Sequence, residues 1–279
     1  MKDYSILELK KIANLIRQDI IRMTAHAGSG HPGGSLGMAD IFTALYFKIL
    51  KHNHELPHWK DRDRIILSNG HICPVLYATL AERGYFSLHL LKKFRQINSP
   101  LQGHPHQHSL AGIENSSGPL GQGLSIACGL ALGAKLNKQN YQIFAITSDG
   151  EHDEGQTWEA VMLANKYKLN NLINIVDLNG IQIDGYTKNI MPLGDLKAKY
   201  QSFGWQVLTC DGHNMKDIIN TLTKAKNPST TLRAQPVVIL AKTILGKGVS
   251  FMENNFDWHG KAPNKQETEL ALNELKKYA

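Results

Sequence analysis

The stretch YQIFAITSDGEHDEG (Tyr141–Gly155) runs an apolar strand pattern straight into four carboxylates within six residues: Asp149, Glu151, Asp153 and Glu154. A second apolar run, NLINIVDLNG (Asn171–Gly180), also ends in a polar turn, and Asn179 follows Asp149 by thirty positions. That interval is roughly one strand–helix–strand unit. Between the two runs, EGQTWEAVMLANKYKL puts Trp158, Val161, Met162 and Leu169 on or near one helical face. Parallel neighbouring strands would bring Asp149 and Asn179 to the same sheet edge, beyond the carboxyl ends where open α/β sheets hold their ligands. A carboxylate and a carboxamide oxygen meeting beside Gly150 suit a hard divalent cation. Mg2+ takes an octahedron of oxygens at about 2.1 Å, usually completed by phosphate oxygens.

The rest of the chain extends this pattern. DRIILSNGH reads as a short strand running into a turn, and PVVILAKT as a further strand. SILELKKIANLIRQDIIRMTAHA spaces Ile12, Leu15, Ile16, Ile20 and Met23 as a helix does, and ADIFTALYFKIL reads as a second helix. SGHPGGSLGMADI, rich in glycine and carrying Pro32, reads as a loop. GPLGQGLSIACGLALGAKL is a glycine-led entry into a helix of small residues. Strands alternating with helices predict an α/β fold: a parallel sheet with helices on both faces, as one domain over residues 1–279. Gly28, Gly30 and Gly33 match a dinucleotide-binding spacing, but a long helix precedes them where that motif needs a strand.

Composition narrows the class. The 279 residues are 42% hydrophobic and 20% charged, ordinary for a folded soluble chain. The net charge of +7 is spread along the sequence, with no basic stripe interleaved with aromatics, so nucleic acid is not expected. A phosphorylated small molecule suits the charge equally well. No apolar run reaches membrane-spanning length, and the first residues lack a signal-peptide core. Cys73, Cys128 and Cys210 form no CxxC pair, which predicts a reducing cytoplasm. His104, His106 and His108 alternate in GHPHQHS; zinc is one reading and solvated loop histidines the other. His31 and His71 read either as functional groups or as structural turn residues.

SDGEHDEGQTWEA followed by NLINIVDLNGIQIDG resembles the thiamine diphosphate motif, a GDG with an Asn some thirty residues on. The chain is more specifically similar to transketolases, since SGHPGGSLGMADI, DRIILSNGH, GHP, NSSGPLGQGLSIACGLALGAKL, IQIDG and WHGKAP occur in that family's order. The resemblance covers nearly the whole chain. It implies that Asp149 and Asn179 ligate Mg2+ (or Ca2+ or Mn2+) through side chains and Ile181 through its backbone carbonyl. Gly150 and Asn179 would adjoin the diphosphate, and Gly118, Pro119 and Leu120 would form the other cofactor loop. His71 and His259 would lie near the diphosphate and reacting centre. His31, His104 and His259 would contact sugar hydroxyls and help move protons. Glu154 and Glu159 would sit at a subunit interface. Glu151, Asp153, His106 and His108 receive no role; a solvated loop or first helical turn accounts for the two acids, favoured by the helix dipole.

The sequence departs from the family in three places. Ser148 replaces the first glycine of GDG, DLNG replaces the more familiar DDNG, and the chain is far shorter than full-length transketolases. These features are nearer to the two-chain members. The resemblance therefore implies a separate C-terminal chain carrying the pyrimidine-binding domain, in a two-plus-two assembly, and silence of this chain alone. The expected reaction moves a two-carbon ketol group from a ketose, phosphorylated or not, to an aldose. Alternatives are a transketolase-like chain for unusual or branched sugars, the alpha chain of a 2-oxo acid dehydrogenase, and a non-catalytic half-enzyme.

Overall fold

The computed structural model describes residues 3–227 and 235–277. Helix α1 spans Ile6–Ala27, α2 Pro32–Ala44 and, after strand β1 (Arg64–Leu67), α3 Cys73–Glu82. Helix α4 (Gln122–Leu136) precedes β2 (Ile143–Ser148), and α5 (Gly155–Lys166) precedes β3 (Leu172–Leu178). A short hairpin of β4 (Ile181–Gln182) and β5 (Gly185–Tyr186) leads to α6 (Thr187–Ile190) and α7 (Leu196–Ser202). The chain continues through β6 (Gln206–Asp211), α8 (Met215–Lys226), β7 (Val237–Lys242) and α9 (Lys265–Lys276).

Five strands form one parallel sheet in the order β1-β2-β3-β7-β6. Strand side chains alternate between its faces. Phe144, Ile146, Ile173, Ile175, Val237 and Ile239 enter one core with α1, α2, α3, α8 and α9. Ile143, Ala145, Leu172, Val176, Val238 and Leu240 enter the other with α4, α5 and α7. Both faces are covered, so the near-continuous apolar runs of β2 and β3 are what a doubly covered parallel sheet requires.

Local chemistry sets the element ends. Ser5 caps α1 by accepting from the Glu8 amide while the Glu8 carboxylate accepts from the Ser5 amide, a reciprocal capping box. Asn264 and Glu267 repeat the device at α9.

The structure corrects three details of the sequence reading. SGHPGGSLGMADI is not a loop throughout: helix α2 begins at Pro32, whose fixed φ suits the first helical position. Glycine is a poor helix former, yet here it lets the helix touch its neighbours. A Cβ at Gly37 would lie 2.9 Å from the Ile244 carbonyl, and one at Gly33 2.7 Å from that of Trp258. Met162 points outward, half exposed, while Val161 is buried, because α4 packs on the Val161 side. Strand β6 and the β4–β5 hairpin were not read from the sequence; β6 is an edge strand with mixed burial, which blurs its alternation.

His52 illustrates a buried neutral histidine outside the site. Its Nε2 donates to the Tyr46 carbonyl at 2.7 Å and its Nδ1 accepts from the Tyr85 hydroxyl at 2.9 Å. Burial lowers it to about 4; the Tyr46 carbonyl and Asp63 oppose this, and Arg83 and His54 add to it. An unfolded histidine titrates near 6.5. A depressed value therefore stabilises the fold above that pH and is lost as the pH falls toward 4. Raised carboxyls such as Glu82, pushed up to about 7 by burial and Asp19, act in the opposite direction, so the test is a comparison. Between pH 6.5 and 4, His52→Gln should lose stability less steeply on acidification than wild type. Parallel slopes in urea titrations would refute this.

Candidate active site

The carboxyl ends of β2 and β3 meet as their register demands, with Ser148 opposite Asp177. Just beyond, the Asp149 carboxylate accepts from the Gly180 amide at 2.5 Å and from the Gly150 amide at 2.8 Å. Asn179 donates through Nδ2 to Asp177 at 2.9 Å, and its Oδ1 accepts from the Ile181 amide at 2.9 Å. Two segments thirty residues apart in sequence thus form one oxygen-rich floor. It opens into a cavity of about 410 Å³ lined by Ser148, Gly150, Asp177, Asn179 and Ile181 at this end and by four histidines at the other.

Those histidines are His31, His71, His104 and His259. Ring centroids lie 5.2 Å apart for His31 and His71, 5.1 Å for His71 and His259, and 5.6 Å for His31 and His259. Burial is the main cause lowering all four; His31 falls to about 4, and His259, Arg95 and His104 add to its shift. The rings are neutral near pH 7, so each has one nitrogen to donate and one to accept. Nδ1 of His31 and of His259 is buried without a hydrogen-bond partner, donor or acceptor capacity that the protein itself does not use.

The floor carries charge that the chain alone does not compensate. Asp149, 1% exposed, is pushed up to about 7 by burial and then by Asp177; Asp177 is pushed up to about 6 by burial. A divalent cation would reverse both shifts by favouring the ionised forms. The donor set is oxygen only, which fits Mg2+. Among the described residues no group of three or more His, Cys, Asp or Glu side chains converges as a metal centre; the floor has a different make-up, two carboxylates, a carboxamide and backbone.

The turn is held from behind. His152 donates from Nδ1 to the Ser148 carbonyl at 2.7 Å and accepts at Nε2 from the Tyr200 hydroxyl at 2.8 Å. Tyr200 in turn accepts from Asn174, whose Oδ1 accepts from Thr147. Every polar atom in this buried relay has a partner, as a rigid support needs.

The chain matches the family model for the transketolase thiamine diphosphate binding domain over residues 9–276. It belongs to the transketolase family. This transketolase chain is 40% identical over 271 residues to SqwG, a 6-deoxy-6-sulfo-D-fructose transketolase subunit of Clostridium sp. (strain MSTE9), covering 97% of each. It is 39% identical over 270 residues to one subunit of the apulose-4-phosphate transketolase of Actinobacillus succinogenes, covering 96% of each. Human transketolase is 35% identical over 268 residues, but there the match covers only 42% of the relative. Among solved structures, a Campylobacter jejuni transketolase superposes with a TM-score of 0.87 at 33% identity, covering 99% of this chain and 43% of the other. A Pichia stipitis transketolase variant superposes at 0.90 with 31% identity, covering 97% and 41%.

The transketolase motifs land unevenly around the cavity. Gly118 and Leu120 line it, with Gly118 facing His104; Pro119 is exposed and does not. Ile181 is buried in the wall. Glu154 reaches the rim, while Glu159 lies on the exposed face of α5 away from it. His104 lines the cavity, whereas His106 and His108 are exposed. Glu151 overturns its reading as a solvated loop residue: it is fully buried, because Ser68 and Gly121 from distant segments and Ser148 three residues before it donate to its carboxylate. Asp153 is exposed, as that reading had it. Asp177 escaped notice as a site residue, although an aspartate at the end of an apolar strand was a signal. Its carboxylate is held by the Thr243 hydroxyl and Asn179. Gln182, with a buried Oε1 lacking a partner beside Gly150, was also missed.

Proposed function

We propose that this chain is the diphosphate-binding subunit of a two-chain transketolase that moves a two-carbon ketol group from a ketose to an aldose. The observation that carries this is the meeting of Asp149 with the Asn179–Gly180 turn, 2.5 Å from carboxylate to amide, below a cavity walled by four neutral histidines. Asp149, Asn179 and the Ile181 carbonyl would hold Mg2+, or Ca2+ or Mn2+ in its place, against the diphosphate. Gly150 leaves the backbone uncovered there, as close approach to phosphate requires. When bound, thiamine diphosphate supplies the carbon centre that carries the two-carbon unit.

The protein's own part is positioning and proton handling. His31, His104 and His259 would bind sugar hydroxyls, and their neutral rings can take or give a proton at the hydroxyl that becomes or ceases to be a carbonyl. His71 would sit nearer the diphosphate. His31, His71 and His259 are partly buried, which lowers the local dielectric and strengthens these contacts. Glu154 and Glu159, both exposed, would lie at the interface between paired sites.

The relatives covered end to end are named as subunits, which supports a partner chain. That chain would carry the pyrimidine-binding domain, in a two-plus-two assembly, while residues 1–279 form the single diphosphate-binding domain. Relatives named for a sulfosugar and for apulose 4-phosphate favour an anionic sugar as substrate, whose anionic group the partner would read. Three buried free cysteines fit a reducing cytoplasm, and no helix among the described residues is long and apolar enough to cross a membrane. Mixing the purified chains should give ketol transfer from hydroxypyruvate to an aldose phosphate, with none from this chain alone. Turnover by this chain alone, or turnover of a branched 2-oxo acid in place of hydroxypyruvate, would refute the reading. Inertness of the mixture towards every ketol donor would favour a non-catalytic half-enzyme.

A further inference from the structure

Glu151 is a fully buried carboxylate that none of the roles above uses. Its Oε1 accepts from the Ser68 hydroxyl and, at 2.6 Å, from the Gly121 amide; its Oε2 accepts from the Ser148 amide at 3.2 Å. All three donors are neutral, so the charge is held by directed hydrogen bonds alone. Each donor belongs to a different segment of the site. Ser68 follows β1 and precedes Gly70–His71; Gly121 ends the loop of Gly118–Leu120; Ser148 precedes Asp149. Ser68 also accepts from the Gly123 amide at 2.9 Å, tying the first turn of α4 to the same hub. On its other side the Glu151 carbonyl accepts from the Thr157 hydroxyl at 3.1 Å and from the Glu154 amide at 3.1 Å, which fixes the residue to the start of α5.

We propose that Glu151 is a positioning residue for the coenzyme: its carboxylate holds the Gly118–Leu120 loop in register with the metal turn at Asp149–Gly150. This rests on the thiamine diphosphate reading given above. A glutamine fills the same volume and can keep its Oε1 toward Ser68 and Gly121, but it removes the charge and turns Oε2 into a donor facing the Ser148 amide, which also donates. Glu151→Gln should therefore weaken the tie between the loop and the metal turn while leaving both cores packed.

Three measurements on the full chain test this, the binding measurements, wild type included, being made with its partner chain present. Calorimetric titration with thiamine diphosphate and Mg2+ should show binding about tenfold weaker in Glu151→Gln, the loss of about one hydrogen bond to a charged group. Hydrogen exchange should rise in the segment 118–123 and remain at wild-type levels in β2, β3 and β7. The urea transition should remain cooperative. A merely structural role would raise exchange throughout and leave the affinity of the folded fraction unchanged. Affinity within about twofold of wild type overturns the proposal. Should Glu151→Gln fail to fold, Ser68→Ala removes one donor to Glu151 and the acceptor of the Gly123 amide, and unchanged affinity and loop exchange in that variant overturn it equally. Absence of Mg2+-dependent binding by wild type would instead refute the functional reading and this proposal with it.

Discussion

Replacing Asp149 with alanine should abolish Mg2+-dependent binding of thiamine diphosphate. The Asp149 carboxylate bridges the two strand ends, within bonding distance of the Gly180 and Gly150 amides. Its removal takes a negative charge from a buried, oxygen-lined floor and leaves Asn179 and backbone to hold a dication. Changes to groups that only support metal ligands already lower affinity about 10–100-fold, so loss of a ligand should exceed that range. Asp149→Asn separates chemistry from folding. Its amide oxygen can still accept from Gly180, but its NH2 then faces the Gly150 amide, so the apoprotein should stay folded with a modestly lower urea midpoint, while the missing charge should weaken Mg2+ as severely as alanine does. Calorimetry of each variant, alone and with the partner chain, measures both effects. Wild-type affinity in either variant would remove Asp149 from the metal site and leave the oxygen floor without its proposed purpose.

Gly123→Ala should destabilise the chain by about 2 kcal/mol, against the usual direction for this exchange. In an exposed helix, alanine in place of glycine gains about 1 kcal/mol. Here the first turn of α4 lies directly on the end of β1. A Cβ at position 123 would lie 2.5 Å from the Ser68 Cα, which is backbone and has no rotamer into which to retreat. Overpacking of this kind costs about 1–3 kcal/mol, and it would also stretch the Gly123–Ser68 hydrogen bond. Gly129 on the same helix is the control, since a Cβ there meets no atom within 4 Å. Gly129→Ala in the isolated chain should gain about 1 kcal/mol. Urea unfolding of the pair gives the comparison. A stabilised Gly123→Ala would show that β1 and α4 are not locked together, and would weaken the account of Glu151 and Ser68 as one hub.

Much of the fold was legible because its signals are local. Apolar runs such as IFAIT and LINIV, separated by a helical pattern, announce parallel strands whatever lies elsewhere in the chain. The spacing of Asp149 and Asn179 followed from the length of one strand–helix–strand unit, and the Asp149 carboxylate accepts from Gly180, the residue next to Asn179. Family motifs then pointed to His31, His71, His104 and His259, and all four line one cavity. The misreadings share one physical source. Helix α2 looked like a loop because glycine and proline speak against helices locally, whereas its glycines serve contacts with Trp258 and Ile244, more than 200 residues away. Edge strand β6 has half-buried faces and so little periodicity to read.

The sequence by itself determined the strand and helix alternation, the sheet edge at which a ligand would sit, and the family of chemistry available there. Family motifs singled out Asp149 and Glu154 among the four clustered acids, but Glu151 and Asp153 were left without a role, since spacing cannot tell a buried carboxylate from a hydrated one. Only the tertiary structure separated those two. Glu151 is enclosed by donors that include a serine 83 residues away, and Asp153 is exposed. The reason is energetic: a carboxylate is tolerated inside only where hydrogen-bond donors or a cation replace its water, and those donors come from segments that only folding brings together.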